Sequence, residues 1–215
     1  MKTYLNVVAL VVIFIACNNN SEPKQELPKF PEAEEPYADP DLQKLSTAFP
    51  DIYQQFAQQD STFSAARFEQ GGEDSLGMAP LPETKQLLPY YPYFVYNKDS
   101  SYAIDLYSYN VLLIKRNGRV VPQEAGPDTE VGLVNLKDKT RQRIYFGGAS
   151  STVLDATWTG NNELFLMTGE LIADNKFQPA ILKYNTETHT VRHFNYPDTL
   201  QLNPSGYRKK EIKNL

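Results

Sequence analysis

Val111-Leu112-Leu113-Ile114-Lys115-Arg116-Asn117-Gly118-Arg119-Val120-Val121-Pro122 is the stretch that decides the fold class. Two aliphatic runs flank Asn117-Gly118, the dipeptide best suited to a two-residue β-hairpin turn. Strands are predicted at 111–115 and 119–122. Both are rich in the β-branched residues that fit a pleated surface. Working outward, apolar runs continue at 93–96, 102–109, 131–136, 141–146, 153–159, 163–168, 178–184 and 190–194. Lys137-Asp138-Lys139, Gly160-Asn161-Asn162 and Asn185-Thr186-Glu187 supply the turns between several of them. Short strands joined by tight turns make an antiparallel sheet.

Two of these hairpins resemble each other. Val134-Asn135-Leu136-Lys137-Asp138-Lys139-Thr140 precedes a strand ending in Phe146. Leu182-Lys183-Tyr184-Asn185-Thr186-Glu187-Thr188 precedes one ending in Phe194, an offset of 48 positions. A period near this with four strands per unit is the mark of propeller blades. Two units are too few to close a propeller. The expectation is mainly β: either an antiparallel meander with helices covering a face, or two blade-like four-stranded sheets packed as a sandwich. Trp158, the one tryptophan, lies in an alternating apolar strand and is expected in the core.

Upstream the periodicity changes. Leu42, Leu45, Phe49, Ile52, Tyr53 and Phe56 recur at spacings of three and four, one apolar face of a helix. Asp39-Pro40-Asp41 suits a helix start, with Asp39 as cap. Pro50 must kink this helix or open a second one. A further short turn is expected at 61–68. The Gly- and Pro-rich stretch 71–82 is expected to be loop.

The 215-residue chain is 12% aromatic, with 14 Tyr and 11 Phe, and carries a net charge of −5. No basic stripe is present, so nucleic acid is not an expected partner. Arg208-Lys209-Lys210 is too short a run to make one.

Residues 1–17 carry a different kind of information. Lys2 supplies a small positive region, and Leu5 to Ala16 is an apolar run shorter than the roughly 20 residues a membrane span requires. This is the layout of a secretory signal. Cys17, the only cysteine, follows Phe14-Ile15-Ala16. The segment resembles the lipobox of bacterial lipoproteins, with Phe14 where leucine is usual. The resemblance covers only the signal, and implies diacylglyceryl transfer to the Cys17 thiol, cleavage before it, and acylation of the new amino group. Several acyl chains hold a protein on a membrane where one does so only marginally. Asn18 stands where some lipoproteins carry an aspartate linked to inner-membrane retention, which points to an outer membrane.

The resulting organisation is a signal peptide at 1–16, a lipid anchor and polar tether at 17–36, a helical segment at 37–70, a β domain at 83–200 and a tail at 201–215. Candidate chemistry within it is sparse. His189 and His193 would share a helix face, but on a strand their rings stand roughly 13 Å apart, too far for one zinc ion. Ser150-Ser151 lacks a nucleophile elbow. The carboxylates Asp105, Asp128, Asp155, Glu163, Glu170 and Asp174 are scattered. No catalytic residue, metal site or cofactor is expected. The candidate binding residues are Tyr90, Tyr91, Tyr93, Tyr96, Tyr107 and Tyr109, which would either line one face of a strand as a row of rings or fill the sheet–helix interface. The expected function is a non-catalytic envelope module binding a protein or glycan. The alternative is an envelope hydrolase acting on glycans or peptides through carboxylates gathered by the fold.

Overall fold

The computed structural model describes residues 39–76, 80–82, 85–173 and 176–201. The signal, Cys17 and the 17–36 tether lie outside them, as does the tail beyond Gln201. In chain order the strands are β1 (Glu69–Ser75), β2 (Leu81–Pro82), β3 (Val95–Tyr96), β4 (Tyr102–Asp105), β5 (Val111–Arg116), β6 (Arg119–Glu124), β7 (Thr129–Asn135), β8 (Thr140–Gly147), β9 (Ser151–Trp158), β10 (Glu163–Ala173), β11 (Lys176–Asn185), β12 (Thr190–Asn195) and β13 (Leu200–Gln201). One sheet runs β1-β12-β11-β10-β9, with β13 on β11; a second runs β2-β8-β7-β4-β3; β5 and β6 form a ribbon apart from both. Every pairing is antiparallel.

The mainly β, antiparallel expectation therefore holds. Two successive meanders, β3-β4-β7-β8 and β9-β10-β11-β12, build the two sheets, and the ribbon is inserted within the first. Among the described residues neither sheet closes into a barrel or a propeller ring. The Asn-Gly hairpin forms as expected: Asn117 (φ 52°) and Gly118 (φ 81°) both adopt the left-handed conformation of a type I′ turn.

The resemblance between hairpins is real at the level of turns, but its register is 50 and not 48. Asn135 accepts from the N–H groups of Lys137 and Asp138, and Asn185 from those of Glu187 and Thr188. Each turn then closes through a left-handed residue, Lys139 or His189. Asparagine at the turn start sets the equivalence, because its side chain mimics a backbone acceptor.

The central strands of the six-stranded sheet are buried on both faces. Leu164 and Leu166 of β10 face the other sheet, where Ile104, Val131 and Leu133 meet them. The alternating Phe165 and Met167 face the helices. There α1 (Leu45–Ala48) and α2 (Pro50–Gln59) bring Leu45, Phe49, Ile52 and Phe56 against Phe177, Ile181 and Phe194. Pro50 opens the second helix at its first position, where a missing N–H costs nothing. Helices and β strands belong to one compact unit. A polar lock joins them: Arg67 and Tyr196 converge on Asp60, at 2.9 and 2.7 Å, and Arg67 also pairs with Asp198.

Three local expectations are corrected. Residues 69–75 are strand, not helix end or loop: Glu69-Gln70-Gly71-Gly72-Glu73-Asp74-Ser75 has no apolar residue, yet its backbone pairs with β12 as an exposed, acidic edge. Such an edge resists pairing with another chain. The strand expected at 93–96 shrinks to Val95–Tyr96, because residues 85–93 form a 3-10 helix whose Pro89 and Pro92 cannot serve a ladder. The strand expected at 102–109 stops at Asp105, whose carboxylate accepts the N–H groups of Tyr107 and Ser108 and turns the chain. Asp39 stands where the helix start was expected, directly before a 3-10 helix at Pro40–Lys44: its carbonyl accepts from the Leu42 N–H at 2.9 Å, and its buried carboxylate pairs with Arg192 at 2.6 Å.

Candidate functional site

The tyrosines do not form one row. Tyr90 and Tyr107 are buried in the core shared by the sheets. Burial raises the Tyr90 hydroxyl above its usual range, and that hydroxyl donates to the Val111 carbonyl at 2.6 Å. Tyr91 is half-buried against Phe94, and Tyr93 meets Tyr107 edge-on at 6.4 Å. Prolines place these rings around a 3-10 helix, so the two-residue period of a strand never applies. Only Tyr96 and Tyr109 are well exposed, at 41% and 44%, and they stand in different places.

Tyr96 belongs to a groove. It lies where β3, the edge of the five-stranded sheet, meets β9, the edge of the six-stranded one. Trp158 closes the join: its indole Nε1 donates to the Val95 carbonyl at 2.8 Å. Asn97, buried beneath, donates to the Asn161 carbonyl at 3.1 Å and accepts from the Tyr102 N–H at 3.0 Å. That side chain clips the β3–β4 turn to the β9–β10 turn. The resulting open depression of about 600 Å³ is lined by Val95, Tyr96, Lys98, Thr157, Trp158, Thr159, Gly160 and Asn161. The Tyr96 hydroxyl donates to the Tyr91 carbonyl at 2.9 Å, which fixes the ring. The lining offers two rings, an ammonium, three hydroxyls and an amide, and no carboxylate. Such a surface can stack and hydrogen-bond a ligand. It holds no acid–base pair.

Tyr109 belongs to the outer face of the five-stranded sheet. Its ring meets Phe146 edge-on at 6.1 Å, and the Arg143 guanidinium lies 5.0 Å over the Phe146 ring. Arg143 is held by Glu130 at 2.6 Å; Glu130 also binds Arg141 at 2.6 Å, and Arg141 reaches Asp105 at 2.9 Å. Gly132 leaves the room, because a Cβ there would collide with the Arg141 guanidinium. Burial pulls the Arg141 guanidinium down, but Asp105 and Glu130 outweigh it, and the group is held above its ordinary range. Both carboxylates are buried and each faces a guanidinium, so this is an ion-pair network and not a free acid beside a free base.

The remaining candidates are dispersed. His189 lies in the β11–β12 turn and meets the Tyr184 hydroxyl at 3.0 Å; burial pushes that hydroxyl up to about 12. His193 approaches Asp74 at 3.5 Å across the β1–β12 pair. Among the described residues no group of three His, Cys, Asp or Glu side chains could hold a metal ion, and no helix is long and apolar enough to cross a membrane. Trp158, expected in the core, is half-buried: it packs against the core shared by the sheets and also lines the groove, while the exposure of Phe146 and Arg143 was not foreseen. Trp158 is the last residue of β9, and a ring at a strand end is where one should expect a rim.

Set against protein-family models, curated proteins and solved structures, the chain matches none.

Proposed function

We propose that this is a lipid-anchored cell-envelope protein, tethered through Cys17, that binds a glycan or an extended peptide in the Tyr96–Trp158 groove. In this reading the two meanders are a pair of blade-like units, and the groove is the seam between their edges. The outer membrane is the proposed address. The observation that carries the binding role is a solvent-open aromatic groove whose rings are pinned by hydrogen bonds to the backbone. Rings fixed in advance lose little entropy when a ligand stacks on them. Stacking of a sugar or a peptide side chain on such rings needs no catalytic group. The hydrolase alternative finds less support, since the buried Asp105 and Glu130 are neutralised by arginines.

The sole tryptophan is its own reporter. Titration of the protein with envelope glycan fragments, and separately with peptides, should shift Trp158 emission saturably for one class. Tyr96→Ala should weaken that binding by about tenfold, a loss of roughly 1.4 kcal/mol. Emission indifferent to both classes would remove the groove from the account. The anchor is tested apart from the groove: Cys17→Ser should abolish incorporation of labelled lipid, and retained label would end the lipoprotein reading.

A further inference from the structure

The β5–β6 ribbon stands out from both sheets and is joined to the body at its base. Val111 is buried there, the Tyr90 hydroxyl donates to its carbonyl, and the Ala125 N–H donates to the Asn110 carbonyl. One face of the ribbon, through Leu113, packs against the shared core. On the other face Leu112 stands opposite Gln123, Ile114 opposite Val121, and Arg116 opposite Arg119. Arg116 donates to the Gln123 side chain at 3.2 Å, as two groups on one face must. Leu112 is 48% exposed and Val121 38%.

This face has no carboxylate. It joins three aliphatic side chains to two guanidiniums, in a chain of net charge −5. A two-stranded ribbon is marginal in water by itself, and an apolar patch rimmed by charge marks a surface for a partner or a membrane. Addition of a partner strand is disfavoured. Pro122 has no N–H to offer along β6, and Tyr90 stands against β5.

We propose that this face docks on the anionic headgroup layer of a lipid bilayer. Leu112, Ile114 and Val121 would enter the boundary between headgroups and acyl chains, with Arg116 and Arg119 among the phosphates. Each cation near an anionic surface contributes about 1 kcal/mol, and the aliphatic groups add the apolar share. The inference rests on the proposed anchor in one respect: the anchor would hold the ribbon within reach of lipid. The ribbon would then fix how the domain lies on the membrane.

The test uses the full-length Cys17→Ser chain carrying Val121→Cys labelled with bimane. Vesicles are phosphatidylcholine alone, or phosphatidylcholine mixed with phosphatidylglycerol, each doped with nitroxide-labelled lipid. The apolar run at residues 5–16 can bind either vesicle, but the label reports only the ribbon. Quenching should be about tenfold stronger on the anionic vesicles, fall in high salt, and vanish in Arg116→Glu/Arg119→Glu. A circular dichroism spectrum unchanged by the two substitutions keeps that loss attributable to charge. Equal quenching on both vesicles, quenching that survives charge reversal, or none on anionic vesicles overturns the proposal. Failure of lipid labelling at Cys17 with ribbon quenching intact would remove the anchor and leave the docking face standing.

Discussion

On the outer face of the six-stranded sheet, Phe165, Met167, Phe177, Ile181 and Phe194 meet two helices and a cluster of rings. On the outer face of the five-stranded sheet, Asp105, Glu130, Arg141 and Arg143 meet one another. The first face gains from removing apolar surface from water, with each buried Phe or Ile giving roughly 2–3 kcal/mol. The second face buries charges whose desolvation offsets much of their attraction. Stability is therefore concentrated on the helix side. The opposite side and the seam beside it are left with Tyr96, Tyr109, Phe146 and Arg143 in solvent, and that is where a binding surface can lie.

The comparison is open to attack, first through the apolar face. Phe165→Ala should lower unfolding free energy by about 4 kcal/mol, measured by urea denaturation. A loss near 1 kcal/mol would mean that the helix side is not the main source of stability. Next comes the ion-pair face. Glu130→Gln leaves two guanidiniums short of a partner and should cost about 3 kcal/mol. The paired replacement Glu130→Leu/Arg141→Met should recover most of it. If the single change were neutral, the network would be a solvated surface feature.

The smallest effect is the pH dependence of the lock between the two layers. Thr62 and Tyr196 hydrogen bonds hold the Asp60 carboxylate down to about 2, against an ordinary 3.8. Its folded pKa lies below its unfolded one, so its stabilisation is complete above about pH 4 and is lost as pH falls towards 2. Asp60→Asn should flatten that part of the acid-unfolding curve and leave the curve between pH 5 and 8 parallel to the parent's. A change confined to neutral pH would contradict the assignment.

The parts of this molecule legible in the sequence are those with strong local rules. Asn117-Gly118 specifies its turn, and the spacing from Leu42 to Phe56 specifies the helix face that is found. Pro50 had to break the pattern and does so by starting α2. What could not be read is set by tertiary pairing. β1 has no hydrophobic pattern at all and exists because β12 presents an edge to it. Asp105 ends a strand through its own side chain, which no alternation signals. The six tyrosines looked like one feature because they are close in sequence. Two prolines and the Asp105 turn send them to a core, a groove and an outer face. The groove itself needs Tyr96 and Trp158, which are 62 positions apart, to meet across two sheet edges.

The central claim is that the seam between the sheets is where this protein meets its ligand. Photo-crosslinking in intact membranes tests it directly, with a photoreactive residue at Tyr96 in one version of the chain and at Gln58, on the helix side, in another. A discrete adduct from position 96 that disappears in Trp158→Ala, with none from position 58, is the predicted result. Adducts from position 58 alone would place the binding surface on the helices and contradict the account.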